Sequence, residues 1–308
     1  MRRTVTALVS ASVVASPAAA QRLEYRPVPS RGVQAFTFQS PSMGVRFSVN
    51  VGTGPSYRPG STTRYPALIT TDGDFAFGTV HESARSLVQE AAIDEIIVVS
   101  IGTSYDEGDS TWTRRRIYEF SPPDWDRQDA FGKVVTGACS SYGSAPGRCT
   151  GGAPGFLNAI VTELIPLIAE RFPIDRADLG LFGISAGGFF ASWAMFQPNA
   201  PFKKYLISSP AMAYGNGEIF RLESRWAADR KDWPVAIYFG AGDLEIQHQL
   251  YEGVGQIVSG MTRLAGLLAS RNYPGLRMTT EVHPGMSHGD VMGTVVVRGL
   301  RTLYRKGG

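Results

Sequence analysis

Short apolar runs alternate with segments of helical spacing through the second half of this 308-residue chain. The runs suit strands at 179–184, 205–208, 235–239 and 278–282, and the helical segments are 186–196, about 247–270 and a last one that ends near 304. Such alternation predicts an α/β fold, in which helices cover both faces of a mostly parallel sheet. Functional residues of these sheets lie beyond the carboxyl ends of the strands, so candidates are sought there.

The first half of the chain predicts more of the same sheet. Strands are expected at 33–38, 45–51, 66–71 and 96–99, with helices at about 79–92 and at 156–172, the latter kinked by Pro166. The stretch 104–152 breaks this rhythm and is predicted to be a long irregular insertion. An insertion of this length is typical of a functional segment, but a solvated surface excursion is an equal alternative.

The first twenty residues have the pattern of a signal peptide. Arg2 and Arg3 precede an apolar segment, 6–14, that is too short to span a bilayer, and small residues at 18–20 precede the expected cleavage before Gln21. The alternative is a disordered basic start of a cytosolic protein. We expect a mature domain, 21–308, that is periplasmic or secreted, and no later stretch approaches the length of a membrane span.

The charged residues are nearly balanced. The sequence has 30 basic and 27 acidic side chains, and removal of Arg2 and Arg3 with the leader leaves 28 against 27. Because the basic residues form no stripe, nucleic acid is not an expected partner.

Only two cysteines occur, Cys139 and Cys149, and they are close in sequence. In an oxidising compartment such a pair usually forms a disulfide, which we predict here. Without nearby histidines the two thiols make a poor zinc site.

A G-x-S-x-G motif at 183–187 places Ser185 between an apolar strand and a helix. This sharp turn strains the serine and needs small residues two positions before and after it, because the backbones pass closely. A second match is centred on Ser287. In hydrolases with this elbow the nucleophile precedes the acid and then the histidine, and no histidine lies beyond His288 to serve Ser287. Ser185 is therefore the predicted nucleophile.

Four histidines are candidates for the general base. His81 precedes the nucleophile, and His248 opens a predicted helix where a solvated role is expected. His283 falls at the end of the last strand, whereas His288 lies in the loop before the final helix, where this fold returns its base to the serine. His288 is preferred over His283.

The acid that orients the histidine should follow the strand 235–239. Asp243 and Glu245 both lie there, and Asp243 is the first choice because it is nearer the strand end. Glu245 is the alternative, since its longer side chain can make up the distance. The backbone N–H groups of Ala186 and Asp74 are the candidates for the oxyanion hole.

Besides the serine, histidine and acid candidates, several segments of the sequence match the pattern of a known enzyme family. They are 65–74 with Phe77, 96–101, 151–152 before Phe156, 163–166 with Ile168, 183–188, 208–210 and 288–289. With them the chain resembles the esterase family of α/β-hydrolases that includes siderophore (enterobactin-type) esterases, feruloyl esterases, esterase D and mycolyltransferases. The resemblance implies serine hydrolase chemistry without metal or organic cofactor and supports Ser185, His288 and an acid within 243–245. Some members work with a serine–histidine pair alone. The segment 211–214 and the cysteine loop depart from the family pattern.

The leading hypothesis is an exported hydrolase that cleaves a carboxylic ester of a small molecule or saccharide through an acyl-enzyme. An acyltransferase on the same fold and a non-catalytic binding protein are the alternatives. Six insertion residues are candidates to meet an aromatic, acidic or siderophore-like ligand, or to be solvated side chains. They are Trp112, Arg114, Arg115, Arg116, Trp125 and Arg127.

Overall fold

A computed structural model describes residues 30–104, 107–123, 130–141 and 149–307. Its strands are β1 (Val33–Gln39), β2 (Arg46–Gly52), β3 (Tyr65–Thr70), β4 (Ile97–Thr103), β5 (Ile174–Ile184), β6 (Lys204–Ser208), β7 (Ala236–Gly242) and β8 (Arg277–His283). They form one sheet in the order β1-β2-β4-β3-β5-β6-β7-β8. Strand β2 is antiparallel to both of its neighbours, and all other pairs are parallel. The predicted mostly parallel sheet is confirmed.

Helices lie on both faces of this sheet. They are α1 (Gly73–Gln89), α2 (Gly108–Phe120), α3 (Ala130–Ser141), α4 (Ala153–Asn158), α5 (Ile165–Arg171), α6 (Ala186–Ala194), α7 (Glu218–Ala228), α8 (Ile257–Ser270) and α9 (Val291–Leu303). Successive strand residues point to opposite faces, so Leu181 joins the core beneath α6 and α8, and Phe182 joins the core beneath α1 and α9. Strands buried on both faces explain the continuous apolar runs in the sequence.

The insertion 104–152 is not irregular as predicted, since α2 and α3 occupy most of its described part. Ile117 and Phe120 of α2 are buried in the core, but the same helix also buries Arg115 and Glu119. These two charged residues pair at 2.8 Å between Nε and Oε1. Because charged residues occupy part of the inward face of α2, the spacing of apolar residues in this segment does not show the helical period.

The helices of the second half also differ in detail from the predictions. The helix expected at about 247–270 begins only at Ile257, after a π-helical turn at Gln249–Val254. Helix α7 was not predicted. The kinked helix at 156–172 contains α4, a π-helical turn at Ala159–Leu164 and α5.

The helical segment Ala153–Arg171 has 19 residues and a mean hydropathy of 1.2. By length and composition alone, this segment is long and apolar enough to cross a membrane. This length exceeds what we expected of any segment after the leader. However, Phe156, Ile160 and Leu164 are buried in the core beneath the sheet. The Glu163 carboxylate accepts a hydrogen bond from the Ser40 hydroxyl at 2.7 Å. These contacts are those of a core helix.

The predicted signal peptide, 1–20, lies outside the described residues, as do Trp125 and Arg127. From Gly32 onward the chain makes one compact unit. Cys149 is fully buried, whereas the side chain of Cys139 lies outside the described part. The disulfide therefore stays a prediction.

Candidate active site

Ser185 occupies the sharp turn that its motif predicts. It directly follows β5 and is the N-cap of α6. Its backbone angles are φ 58° and ψ −118°, a conformation that costs free energy for any residue with a Cβ. A Cβ atom at Gly183 would lie 2.0 Å from the carbonyl oxygen of Gly187, and one at Gly188 would lie 2.7 Å from that of Ser208. The turn therefore closes only with glycine at these positions.

Backbone hydrogen bonds tie Ser185 to the neighbouring strand end. Its N–H donates to the Ser208 carbonyl at 3.0 Å, and its own carbonyl accepts from the Ala211 N–H at 3.0 Å. Ser185 is thus held at the carboxyl end of β6, beside the residues that follow that strand.

A buried carboxylate contacts the predicted base. Glu245 Oε1 lies 2.5 Å from His288 Nδ1, and the Glu245 side chain is fully buried while that of His288 is 16% exposed. Because Nδ1 is engaged by the carboxylate, Nε2 is the nitrogen that remains to act as a base. Carboxylate and imidazole have the relation that a catalytic acid and base require.

The second oxygen of Glu245 is held by groups at the carboxyl ends of β6 and β7, the next two strands beyond β5 in the sheet. Oε2 accepts from the Ser209 hydroxyl at 2.9 Å and from the Gly242 N–H at 2.7 Å. Ser209 directly follows β6, and its N–H donates to the Gly240 carbonyl of β7 at 2.8 Å. The chain of contacts from Ser185 through 208–209 to Glu245 and His288 lies along one edge of the sheet.

Asp243, the first choice for the acid, has a different partner. Its Oδ1 accepts from the Gly285 N–H at 2.7 Å. Residues 243–247 form a short 3-10 helix that begins right after β7. The loop between β8 and α9 carries His288 and is called the histidine loop here. Asp243, the first residue of the 3-10 helix, points towards Gly285 in this loop, and Glu245, the third, points inward to Ser209 and Gly242. The structure brings Glu245, and not Asp243, to His288.

The alternative candidates for the base and the nucleophile contact other residues. His283 is buried at the end of β8 with Nε2 3.3 Å from the Tyr238 hydroxyl, and burial lowers the pKa of this imidazole. His81 is buried on α1 and stacks on Phe77 at 5.3 Å between ring centroids. The Ser287 N–H donates to Asp290 Oδ1 at 2.7 Å in the loop before α9.

Both candidate oxyanion donors lie at helix N-termini. Ala186 is the first residue of α6, and Asp74 lies in the first turn of α1, where backbone N–H groups have no partner within the helix. Burial, with a smaller contribution from the nearby Asp72 carboxylate, raises the pKa of the Asp74 side chain to about 6. A Cβ atom at Gly187 would lie 2.9 Å from Asp72 Oδ2, so the residue before α1 lies close to the first turn of α6.

An ion pair joins these two helix ends. Arg116 of α2 donates from Nε to Asp72 Oδ1 at 2.7 Å and from its NH2 group to Asp72 Oδ2 at 3.2 Å. The same NH2 group donates to the Ile184 carbonyl at 3.1 Å. One guanidinium therefore connects the residue before α1 with the residue before Ser185.

Replacement of Arg116 by methionine should destabilise the protein. The Asp72 side chain is only 1% exposed, so its carboxylate would be left buried without its partner. Loss of one member of such a pair costs about 3–5 kcal/mol. Urea denaturation should show a lower midpoint with an unchanged slope. The double variant with Asp72→Asn should recover part of the loss, and an unchanged midpoint in Arg116→Met would contradict this role of the ion pair.

A cavity of about 470 Å³ lies at the carboxyl end of β4, between the first turns of α1 and α2. Its wall includes Asp74, Phe75, Asp109 and Trp112. A larger cavity, of about 530 Å³, is lined by Lys204, Ala236 and Arg277, which stand at the opposite ends of their strands. The smaller cavity therefore lies at the carboxyl ends of the strands, where active sites of parallel sheets are found.

The sheet order, the strained serine after β5 and the carboxylate–histidine pair beyond β7 and β8 define an α/β-hydrolase. No protein-family model matches the chain. The ferri-bacillibactin esterase BesA of Bacillus subtilis is 25% identical over 247 residues, which cover 77% of this chain and 78% of that protein. A siderophore enterobactin esterase of Emericella nidulans is 29% identical over 164 residues, 50% of this chain and 48% of that protein.

The solved structure of the BES protein from Bacillus cereus has the same fold. It aligns with a TM-score of 0.74 at 23% identity, over 92% of this chain and 99% of that one. The two sequence relatives confirm the resemblance to esterases that the sequence indicated, and the chain is a carboxylic-ester hydrolase.

Sequence reasoning missed two contributors to the site. Ser209 lies in the segment 208–210, which supported only the family resemblance, and its contact with Glu245 spans 36 positions. Arg116 was noted only as a ligand candidate. The signal available in the sequence was weak in both cases, because a serine after a strand and an arginine in an insertion have many ordinary roles.

Proposed function

We propose that this esterase is a serine hydrolase in which Ser185, His288 and Glu245 act together through an acyl-enzyme. His288 Nε2 removes the Ser185 hydroxyl proton as Oγ attacks the ester carbonyl carbon. The oxyanion that forms is stabilised by the N–H groups of Ala186 and Asp74. The imidazolium then protonates the departing alkoxide as the carbon–oxygen bond breaks. Water, activated by the same imidazole, releases the acid and restores the serine.

The observation that carries this proposal is the 2.5 Å contact between Glu245 and His288. A buried carboxylate against Nδ1 selects the imidazole tautomer whose Nε2 accepts a proton, and stabilises the imidazolium that follows. The strained Ser185 is linked to this pair by hydrogen bonds through Ser208 and Ser209 at the same end of the sheet. Both features serve hydrolysis, and neither is needed for binding alone.

A fluorophosphonate probe tests the nucleophile directly. Ser185 Oγ should displace fluoride from phosphorus and add one phosphonyl group to the protein, which intact mass spectrometry measures and peptide mapping assigns. A label on Ser287 or on another residue would contradict the proposal. Ser287→Ala is the matched control, and it should label like the unmodified protein.

For the substrate, we propose a siderophore-type ester. BesA is named a ferri-bacillibactin esterase, and the E. nidulans protein is named a siderophore enterobactin esterase. The cavity of about 470 Å³ beside Asp74 is of a size that accommodates part of such a molecule, and its wall offers the Trp112 indole and Phe75 ring to aromatic groups. A panel of p-nitrophenyl acyl esters, feruloyl esters and catecholate trilactones tests this. The highest kcat/KM should belong to a trilactone, and a strong preference for simple acyl or feruloyl esters would overturn the substrate class.

Export to the periplasm or the medium is part of the same proposal, supported by the leader pattern of residues 1–20. A disulfide between Cys139 and Cys149 would fit that compartment. Protein isolated from its native compartment and denatured without reductant should then contain essentially no free thiol. Two reactive thiols per chain would contradict the disulfide and weaken the case for export.

A further inference from the structure

Three aromatic rings stack in a row that ends on the proposed base. The Tyr251 ring lies 4.2 Å from the His288 imidazole, with 25° between the planes. On its other face the His248 ring lies 4.2 Å away at 28°. Tyr251 therefore covers one face of the imidazole, while Glu245 contacts its edge at Nδ1.

The segment that carries Tyr251 is held at both ends. Before it, His248 donates its backbone N–H to the Glu245 carbonyl at 3.1 Å, and its Nδ1 accepts from the Leu250 N–H at 3.2 Å. After it, the Glu252 carboxylate accepts from the Val258 N–H of α8 at 2.9 Å. These bonds fix the π-helical turn, so the position of the Tyr251 ring is determined by the fold.

One hydrogen bond at Nδ1 does not fix an imidazole. The last side-chain torsion of histidine has a broad minimum, so the ring can rotate about its contact with Glu245 and turn Nε2 away from Ser185. A flat ring packed against one face limits this rotation. An aromatic face also favours the positive charge that the imidazole gains during the reaction. Small errors of alignment lower rates strongly in proton transfer.

We infer that Tyr251 is a positioning residue, whose ring keeps Nε2 of His288 directed at Ser185 during catalysis. The inference rests on the proposed function, because it takes His288 as the base. It assigns the tyrosine ring, and not its hydroxyl, to this role.

Three substitutions of Tyr251 test the inference. Tyr251→Phe keeps the ring and should stay within about twofold of the parent kcat. Tyr251→Leu removes the ring and should lower kcat by about tenfold with KM nearly unchanged, the size expected of one aromatic pair. Tyr251→Met fills much of the volume without a ring and should have the same kcat as Tyr251→Leu. It provides a second measurement of the effect of losing the ring if Tyr251→Leu folds poorly.

The rate of fluorophosphonate labelling provides a readout that does not depend on substrate binding. It should fall by the same factor as kcat in Tyr251→Leu and recover in Tyr251→Phe. Leu250→Ala, at the exposed neighbouring position, is the matched control for damage to the turn and should leave both rates unchanged. Parent-like kcat and labelling in the leucine and methionine variants would overturn the inference. Turnover that survives Ser185→Ala would instead overturn the proposed function, so the two failures are distinguishable.

Discussion

Replacing Ser185 with alanine is expected to abolish ester hydrolysis and leave the fold intact. Removal of the nucleophile should lower kcat on the order of 10⁴-fold or more, because only the oxyanion donors and binding contacts would remain. The backbone at this position has φ 58°, which strains any residue with a Cβ. Alanine keeps the Cβ, so the strain of the turn should change little.

The measurement is kcat on an activated ester, together with circular dichroism and the urea midpoint. Ser287→Ala provides the comparison, since it alters the other G-x-S-x-G match and should keep parent activity. Parent-like turnover in Ser185→Ala, or a collapse of turnover in Ser287→Ala, would show that the proposed mechanism has the wrong serine.

The sheet and the elbow were predictable because local sequence carries them. Runs buried on both faces must be apolar throughout, and the close approach of Gly183 to the Gly187 carbonyl admits only glycine. Chain order favoured Ser185 over Ser287 as the proposed nucleophile, and the loop position favoured His288 over His283 as the proposed base. Each of these inferences used residues within a few positions of one another, or the order of elements along the chain.

The choice between the two carboxylates was beyond such reasoning. Asp243 and Glu245 are two positions apart on one short turn, and their directions are decided by distant partners. Gly285 lies 42 positions from Asp243, and His288 lies 43 positions from Glu245. Distance from the strand end favoured Asp243, but the inward position belongs to the residue that Ser209 and Gly242 can satisfy. The ring stack on Tyr251 and the ion pair of Arg116 with Asp72 depend likewise on tertiary contacts.

The second large effect is expected from Glu245→Gln, which should lower kcat/KM by roughly 10²–10⁴. The contacts at Oε2 decide how the new amide is oriented. The Ser209 hydroxyl and the Gly242 N–H both donate to that position, so the amide oxygen should lie there and the NH2 group should face His288. His288 Nδ1 would then accept a hydrogen bond, and the ring proton would move to Nε2, the nitrogen that must take the proton of Ser185.

Asp243→Asn is the matched control, since it also converts a carboxylate to an amide on the same turn. The asparagine oxygen can still accept from the Gly285 N–H, so the histidine loop should stay in place and kcat/KM should fall by less than about tenfold. Steady-state kinetics of both variants on one ester, with thermal unfolding as a check on folding, decides the matter. A larger loss in Asp243→Asn than in Glu245→Gln would return the acid to Asp243. Near-parent activity in both would indicate that serine and histidine work without an acid, because neither tautomer control nor stabilisation of the imidazolium would then limit the rate.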